Sequence, residues 1–478
     1  MIDGDGVKAA DRLAVADGFT LEQLIRAAGH AIAGVAEAGL PAGSRIAVWA
    51  GPGMNGADAR VAAERLAERH QVTIFSLRGA KGPSLDEFPD APFDLVIDGL
   101  FGTGLQRPLD ATCREAIRRL EAGGSPVLSI DVPSGIHTAS GAVLGAAVRA
   151  QRTVTFQRRR AAHLLMPGRL HSGQVIVADI GIPDSVWERV PAVAQANEPP
   201  LWLGELRHPS DAGHKYDRGH AVVFSGALEK SGAARLSAIG ALRGGAGLVT
   251  LAAPRAALAG LSAQVTAIML RGCDDGAGLA TLLEDERFNT FVLGPGFGDQ
   301  DKARAFAGLI LEAGRALVLD ADGITAFGAE PDTLFALRRD AAASRVVLTP
   351  HDGEFKRLFP DLAGDAAPSK LDAARAAAQR AGGIVVYKGA DTVIAAPDGR
   401  AAVNATGTPW LATAGTGDVL AGIVAAQLAQ GTPAFEAACA GVWMHGRGAE
   451  LFGPGLISED LPGALPRVHA EIAALRGG

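Results

Sequence analysis

Residues Asn404 to Gly431 read NATGTPWLATAGTGDVLAGIVAAQLAQG. The centre is Ala414-Gly415-Thr416-Gly417-Asp418, and Val419, Leu420, Ile423, Val424 and Leu428 follow at helical spacing. A Gly-rich turn that opens a helix gathers several backbone N–H groups at one point, where the helix dipole adds partial positive charge. That point suits a transferring phosphoryl group or an oxyanion. Asp418 falls in the first turn, where a carboxylate can take a proton from an attacking hydroxyl. Plain helix capping is the other reading of Asp418. Thr406, Thr408, Thr413 and Thr416 crowd the same loop.

Other chemistry-bearing residues fall where apolar runs end. His351 and Glu354 follow Val346–Thr349; Glu354 can orient water on a magnesium ion or cap a helix. Lys388 ends Ile384–Lys388 and needs an anionic partner, either a phosphate or a neighbouring aspartate. Asp391 and Thr392 continue that loop. In the first half, Asn55, Asp58, Asp98, Asp131 and Ser134 sit after strand-like runs. Two or three carboxylates with an amide oxygen can hold a cation, and one can shuttle a proton. Asp98 and Asp131 can instead cap helices beyond their strands.

The elements that must position these groups alternate. Leu13 to Ala38 has helical periodicity; Arg45–Ala50, Val72–Leu77, Asp94–Asp98 and Val127–Asp131 read as strands; Ala59–Glu68 and Cys113–Ala122 read as helices. In the second half the strands are Ala221–Gly226, Leu248–Ala252, Thr290–Leu293, Ala316–Asp320, Val346–Thr349 and Ile384–Lys388, with a helix over Gly232–Ala241. Strand, Gly loop and helix in repetition predict α/β domains with parallel sheets, whose ligands bind beyond the carboxyl ends of the strands. The loop at Gly51 lacks the G-x-G-x-x-G spacing of standard NAD binding. Prolines around residues 183–200 place a boundary near 200.

A chain of 478 residues exceeds one ordinary core, so two domains are expected. The net charge of -7 leaves no basic footprint for nucleic acid. Cys113, Cys273 and Cys439 have no metal-ligand spacing and fit a reducing compartment. Neither a signal pattern nor an apolar run of about 18 residues is seen, so a cytoplasmic, non-membrane protein is expected.

The blocks GPGMNGAD, DGLFGTGL and SIDVPSGI resemble the N-terminal epimerase domain of the NAD(P)H-hydrate repair enzymes. GPGFG, LDADGIT, LTPHDGEF, VYKGADTVI and NATGTPWLATAGTGDVLAGI resemble their ribokinase-like dehydratase half, over nearly all of 205–475. The resemblance implies two three-layer α/β domains: a Rossmann-like parallel sheet in 1–200 and a ribokinase-like sheet flanked by helices in 205–478. It implies substrates NADHX and NADPHX, which carry water across the nicotinamide ring, and a homo-oligomeric enzyme. The epimerase would exchange R and S hydrates at C6, with Asp131 catalytic and potassium near Asn55, Asp98 and Ser134. Its substrate would lie against Met54, Asn55, Gly56, Ala57, Asp58, Gly102, Thr103, Gly104, Leu105 and Asp131.

By the same resemblance the dehydratase phosphorylates the S-hydrate hydroxyl from ADP, giving AMP, and phosphate then leaves; Mg2+ assists. Asp418 is the base. Lys388, Gly389, Ala390, Asp391, Thr392, Gly415, Thr416 and Gly417 hold the nucleotide, and Ala246, Gly298, His351 and Asp418 hold the hydrate. The chain departs from the family pattern at Met54, Ala57 and Ala59, at Ala27, and at Arg160, which replaces a lysine and cannot serve as a base at neutral pH. These departures predict an epimerase that is weakened or lost on a retained fold. The competing enzymatic reading is a ribokinase-like vitamin-precursor kinase fused to a non-catalytic nucleotide-binding domain, in which the fused first half has no place.

Overall fold

The computed structural model describes residues 1–77, 82–208, 213–337, 345–364 and 367–477. Two compact units divide the chain, Met1–Ala194 and Gln195–Gly478.

In the first unit, β1 (Arg45–Ala50), β2 (Gln71–Ser76), β3 (Leu95–Gly99), β4 (Val127–Ile130), β5 (Arg152–Phe156) and β6 (Gln174–Ala178) form one parallel sheet in the order β2-β1-β3-β4-β5-β6. Central strands covered on both faces are apolar at most positions, and β3 is buried throughout, Asp98 near its end included. Ala47, Trp49 and Val96 belong to one core with Phe88 and Cys113, whereas Ile46, Val48 and Ile97 belong to another with Ile32 and Ala59. The helical stretch predicted over Leu13 to Ala38 is two helices, Gly4–Ala16 and Leu21–Glu37. Between them Gly18 has φ +104°, and Thr20 and Gln23 form a reciprocal capping box that starts the second helix. The helix predicted from Ala59 begins at Met54, so Asn55 to Ala57 lie in its first turn and Asp58 follows directly.

The second sheet holds β7 (Gln195–Ala196), β8 (His220–Phe224), β9 (Leu248–Ala253), β10 (Met269–Gly272), β11 (Thr290–Leu293), β12 (Ala316–Leu319), β13 (Val346–Leu348), β14 (Ile384–Tyr387), β15 (Val393–Ala395) and β16 (Ala401–Val403). The order is β10-β9-β8-β11-β12-β13-β14-β15-β16-β7. All pairs from β10 to β14 are parallel; β15 runs antiparallel to both its neighbours. The carboxyl ends of β12, β13 and β14 therefore open on one rim.

The helix Thr416–Ala429 is buried all round beyond Asp418. It packs backbone to backbone on the helix Ser231–Arg243. A Cβ on Gly240 would stand 2.7 Å from the Val419 carbonyl oxygen, and one on Gly422 would overlap that of Ser237. This close seat fixes where the first turn of the helix points.

Candidate functional site

Four chain segments meet at the rim of the second unit. Asp320 follows β12 and is 2% exposed. Its Oδ1 accepts hydrogen bonds from Thr349 Oγ1 at 2.8 Å and from Lys388 Nζ at 2.7 Å. Asp320 is thus the neighbouring aspartate that the buried-strand lysine needs. Lys388 Nζ also lies 4.0 Å from Glu354 Oε2. Burial by itself would lower the lysine's pKa, but Asp320, Glu354 and Asp418 outweigh it and hold the ammonium above its usual range. Ala321 has φ +46°, an uncommon strain for a residue with a side chain, between Asp320 and Asp322.

Gly415 caps the Thr416–Ala429 helix at φ +91°. A Cβ there would be strained and would meet Leu236 Cδ1 at 2.7 Å and Ser458 Oγ at 2.8 Å. Among the described residues no side chain caps this helix start, so Asp418 is not a capping residue and the first-turn N–H groups have no side-chain partner. A Cβ on Gly417 would stand 3.3 Å from Lys388 Nζ and 3.9 Å from Asp320 Oδ2, so the amide-lined turn adjoins the ammonium. Burial first, then the charge of Asp320, pushes the Asp418 pKa up to about 7; Lys388 opposes this, and Glu354 and Asp322 add to it. A carboxylate with that pKa is matched to proton abstraction near neutral pH. Its side of the helix is half-exposed, so it stays reachable.

The flanking loops are held by short bonds. His351 caps the helix Asp352–Leu358: its Nδ1 accepts from Gly353 N–H at 3.0 Å, and its own N–H donates to Glu354 Oε2 at 2.9 Å. Glu354 thus fills the capping role that the sequence left open. Burial pushes the Glu354 pKa up, against Lys388. In the loop after β14, Thr392 Oγ1 donates to Gly389 O at 2.9 Å, and Lys370 Nζ binds Asp391 Oδ1 at 2.6 Å. Gly298 lies exposed after β11, its N–H donating to Asp322 Oδ2 at 2.9 Å.

One expected site residue is corrected. Ala246 precedes β9, so it sits at the amino end of its strand, opposite the rim. It is 2% exposed, packs in the hydrophobic core, and lies seven residues from the strand's carboxyl end, about 20 Å at ~3.3 Å per residue. The loop threonines brace the loop: Thr416 Oγ1 donates to Leu411 O and Thr413 O, and Thr406 Oγ1 bonds Asn404. Asp320, Asp322 and Lys370 were not singled out as site residues from the sequence. The signal for Asp320 was its place at the end of an apolar strand, level with Lys388.

The first unit has its own cavity of about 370 Å³. Met54, Asn55, Asp58, Gly102, Thr103, Gly104, Leu105 and Asp131 line it, as expected from the sequence; Gly56 and Ala57 do not. Gly56 is packed instead on Gly51, whose carbonyl a Cβ would overlap. Asp131 has φ +66°. Its Oδ1 accepts from Arg160 Nε at 2.9 Å and from Thr155 Oγ1 at 3.1 Å, while among the described residues Oδ2 takes only the Thr103 N–H at 3.3 Å. The Arg160 side chain is 2% exposed, so this ion pair is dry.

Asn55 Nδ2 donates to Ile130 O at 2.9 Å. Asp98 is 0% exposed and accepts from Ser129 Oγ, Ser134 N–H and Ser134 Oγ at 2.9, 2.9 and 2.6 Å. Neither Asp98 nor Asp131 caps a helix. Every group bound to Asp98 is neutral, and burial pushes its pKa up despite them. A fully buried carboxylate among hydroxyl and amide groups, with no cationic side chain on it among the described residues, fits a monovalent cation as counter-charge.

A family model described as NAD(P)H-hydrate dehydratase matches residues 221–455, and one described as YjeF-related protein N-terminus matches residues 21–87 and 79–162. The chain is 37% identical to the bifunctional NAD(P)H-hydrate repair enzyme Nnr of Gloeobacter violaceus, over 91% of this chain and 90% of that protein. It is 34% identical to the Nnr enzyme of Thermofilum pendens, over 96% and 94%. Among solved structures, a ribokinase-like superfamily protein of Enterococcus faecalis covers 59% of this chain and 97% of its own, at 24% identity and a TM-score of 0.51, which shows the fold of the second unit.

Proposed function

This chain belongs to the family of bifunctional NAD(P)H-hydrate repair enzymes, and from that premise we propose how its residues divide the work. The enzyme repairs nicotinamide cofactors damaged by hydration. The second unit dehydrates the S-hydrate, with ADP as phosphoryl donor. Hydroxide is a poor leaving group and phosphate a good one. Asp418 takes the proton of the C6 hydroxyl as its oxygen attacks the terminal phosphorus of ADP. The bond to the bridging oxygen breaks, and AMP leaves. Phosphate then departs from C6 with the C6–O electron pair, a proton leaves C5, and the ring double bond is restored.

The observation that carries this reading is the junction of Asp418, the open amide turn at Gly415–Gly417 and the Lys388 ammonium. A phosphoryl in flight spreads charge over its outer oxygens, and donors fixed beforehand lower that barrier by about 3 kcal/mol each. The loop Lys388, Gly389, Ala390, Asp391 and Thr392 receives the nucleotide, with Lys370 bracing it through Asp391. His351 and Gly298 flank the hydrate. Mg2+ would be held by the nucleotide's phosphates with water oriented by Glu354, and when bound it offsets phosphate charge. That arrangement fits a rim with acidic groups and no all-protein cage.

The first unit exchanges the R and S hydrates in the cavity lined by Asp58 and Asp131. Potassium would be held by Asp98, Asn55 and Ser134, where it supplies the missing counter-charge. Because Arg160 and Thr155 occupy Asp131 Oδ1, this carboxylate is a poor base, and exchange is slower than a free carboxylate would give. The competing kinase reading accounts for the second unit alone, whereas the relatives span both.

Incubating the purified chain with S-NADHX and ADP, while following the dihydronicotinamide absorbance, tests the dehydratase. Recovery of the absorbance with one AMP per turnover is the expected result. A phosphorylated product that accumulates without absorbance would move the second unit to the kinases.

A further inference from the structure

Three carboxyl groups line the cavity of the first unit, and they are not alike. Asp131 is held by Arg160, Thr155 and Thr103. Asp11 comes from the helix Gly4–Ala16. Asp58 is the fifth residue of the helix that follows β1, and it is 6% exposed. Among the described residues no hydrogen bond or ion pair engages the Asp58 side chain, although it lines the cavity. A buried carboxyl without a partner is costly as an anion and cheap as an acid.

The charged groups around it agree. The helix Gly4–Ala16 offers Asp11 and Lys8, the loop after β4 offers Asp131, and the segment after β5 offers Arg160, which is spent on Asp131. The helix Leu21–Glu37 contributes Leu21, Leu24, Ile25 and Ala28, all without charge. Burial, then Asp131 and Asp11, pushes the Asp58 pKa up to about 8. The group therefore carries its proton at neutral pH.

We infer that Asp58 is the proton-carrying catalytic residue of hydrate epimerisation, a role that rests on the epimerase reading of this unit. C6 of the hydrate bears both a hydroxyl and the ring nitrogen. Asp58 gives its proton to that hydroxyl, the C6–O bond breaks, and water leaves. The nitrogen lone pair closes a C=N bond, so the carbon becomes flat and briefly cationic. Asp131 Oδ2, on the same cavity, faces that positive charge. Water then adds to either face of C6, the C=N pair returns to nitrogen, and the released proton restores Asp58. No oxidant or further reactant is needed. A carboxyl committed to an arginine beside one that carries its proton forms the usual pairing of stabiliser and acid.

The test uses the full chain without ADP, so that the dehydratase is silent, and follows conversion of R-NADHX to S-NADHX by NMR after subtracting the spontaneous rate. Wild-type kcat is expected to fall as pH rises through about 8. Asp58→Asn is expected to lose about 100-fold or more in kcat with an unchanged melting temperature, and Asp58→Glu to keep a basic limb at a shifted pH. Asp58→Asn turnover within about threefold of wild type, or a wild-type rate flat through pH 8, would overturn the inference alone. No wild-type exchange above the spontaneous rate would overturn the epimerase reading and this inference with it.

Discussion

Replacing Asp320 by Asn keeps the shape of the side chain but removes the anion that shares Lys388 with Asp418. Two effects follow, and both act on Asp418 in the same direction. Asp320 is the largest charge contribution raising Asp418, so its loss lowers the Asp418 pKa. Lys388, freed from its 2.7 Å bond, keeps Glu354 and Asp418 as its remaining anions and favours the ionised form of both. At an effective dielectric near 20, losing one such close charge moves a pKa by about 1–2 units. Asp418 must be ionised to act as a base, so kcat/KM for S-NADHX falls as pH drops through its pKa. The wild-type half-point belongs near pH 7. In Asp320→Asn it should move down by about 1–2 pH units, with a lower plateau because Lys388 no longer sits squarely at the amide turn. Breaking the pair also costs about 1–3 kcal/mol of stability, less than for a wholly enclosed pair because Glu354 remains. Initial rates of dihydronicotinamide recovery across about pH 5 to 9 read the shift directly. An acid limb that stays at the wild-type pH, or moves up, would refute the electrostatic coupling.

Three further outcomes are expected. Asp418→Asn should lose about 100-fold or more in dehydration while ADP affinity stays within a few-fold, as titration calorimetry reads; retained turnover would take the base role from Asp418. Gly422→Ala should destabilise the second unit by about 1–3 kcal/mol, because a Cβ there overlaps the Ser237 carbonyl, and should depress kcat because the same helix carries Asp418; melting and rate together check it. His163 is buried, with Nε2 on the Asp131 carbonyl oxygen at 2.7 Å, and burial pulls its pKa down to about 4. The unfolded chain then binds more protons between the ordinary histidine pKa and 4, so this contribution is whole above about pH 6.5 and is lost as pH falls towards 4. His163→Gln should flatten the melting temperature of the first unit across that window.

The sequence carried the parallel sheets because central strands such as Leu95–Gly99 and Ile384–Tyr387 need apolar residues on both faces, a pattern visible without coordinates. It also carried Asp418 and Lys388, because strand ends and Gly-rich helix starts have local signatures. It missed the β15–β16 hairpin, although Asp398-Gly399 between short apolar runs is a turn signal, with Gly399 at φ +92°. Strands of three residues carry too little periodicity to stand out. The partnership of Asp320 with Lys388 spans 68 residues, and that of Asp131 with Arg160 spans 29. Neither pairing leaves a local trace, since it depends on which strand ends become neighbours. Ala246 failed for a related reason: a small residue beside a strand does not say which end of the sheet it occupies.

The two units, unlike in topology, arrive at one electrostatic arrangement. Each places a carboxylate at a strand end beside strained backbone, Asp131 itself at φ +66° and Ala321 next to Asp320 at φ +46°. Each binds that carboxylate to a basic residue, Arg160 or Lys388. Each then sets a second carboxyl near the start of a helix, Asp58 at the fifth residue and Asp418 in the first turn, pushed up to about 8 and about 7. The helix dipole alone would lower the Asp418 pKa in that first turn. Burial and the committed neighbour reverse it. The committed carboxylate thus keeps the second carboxyl protonatable near neutral pH, and in the second unit that carboxyl stands beside the amide turn of a helix start.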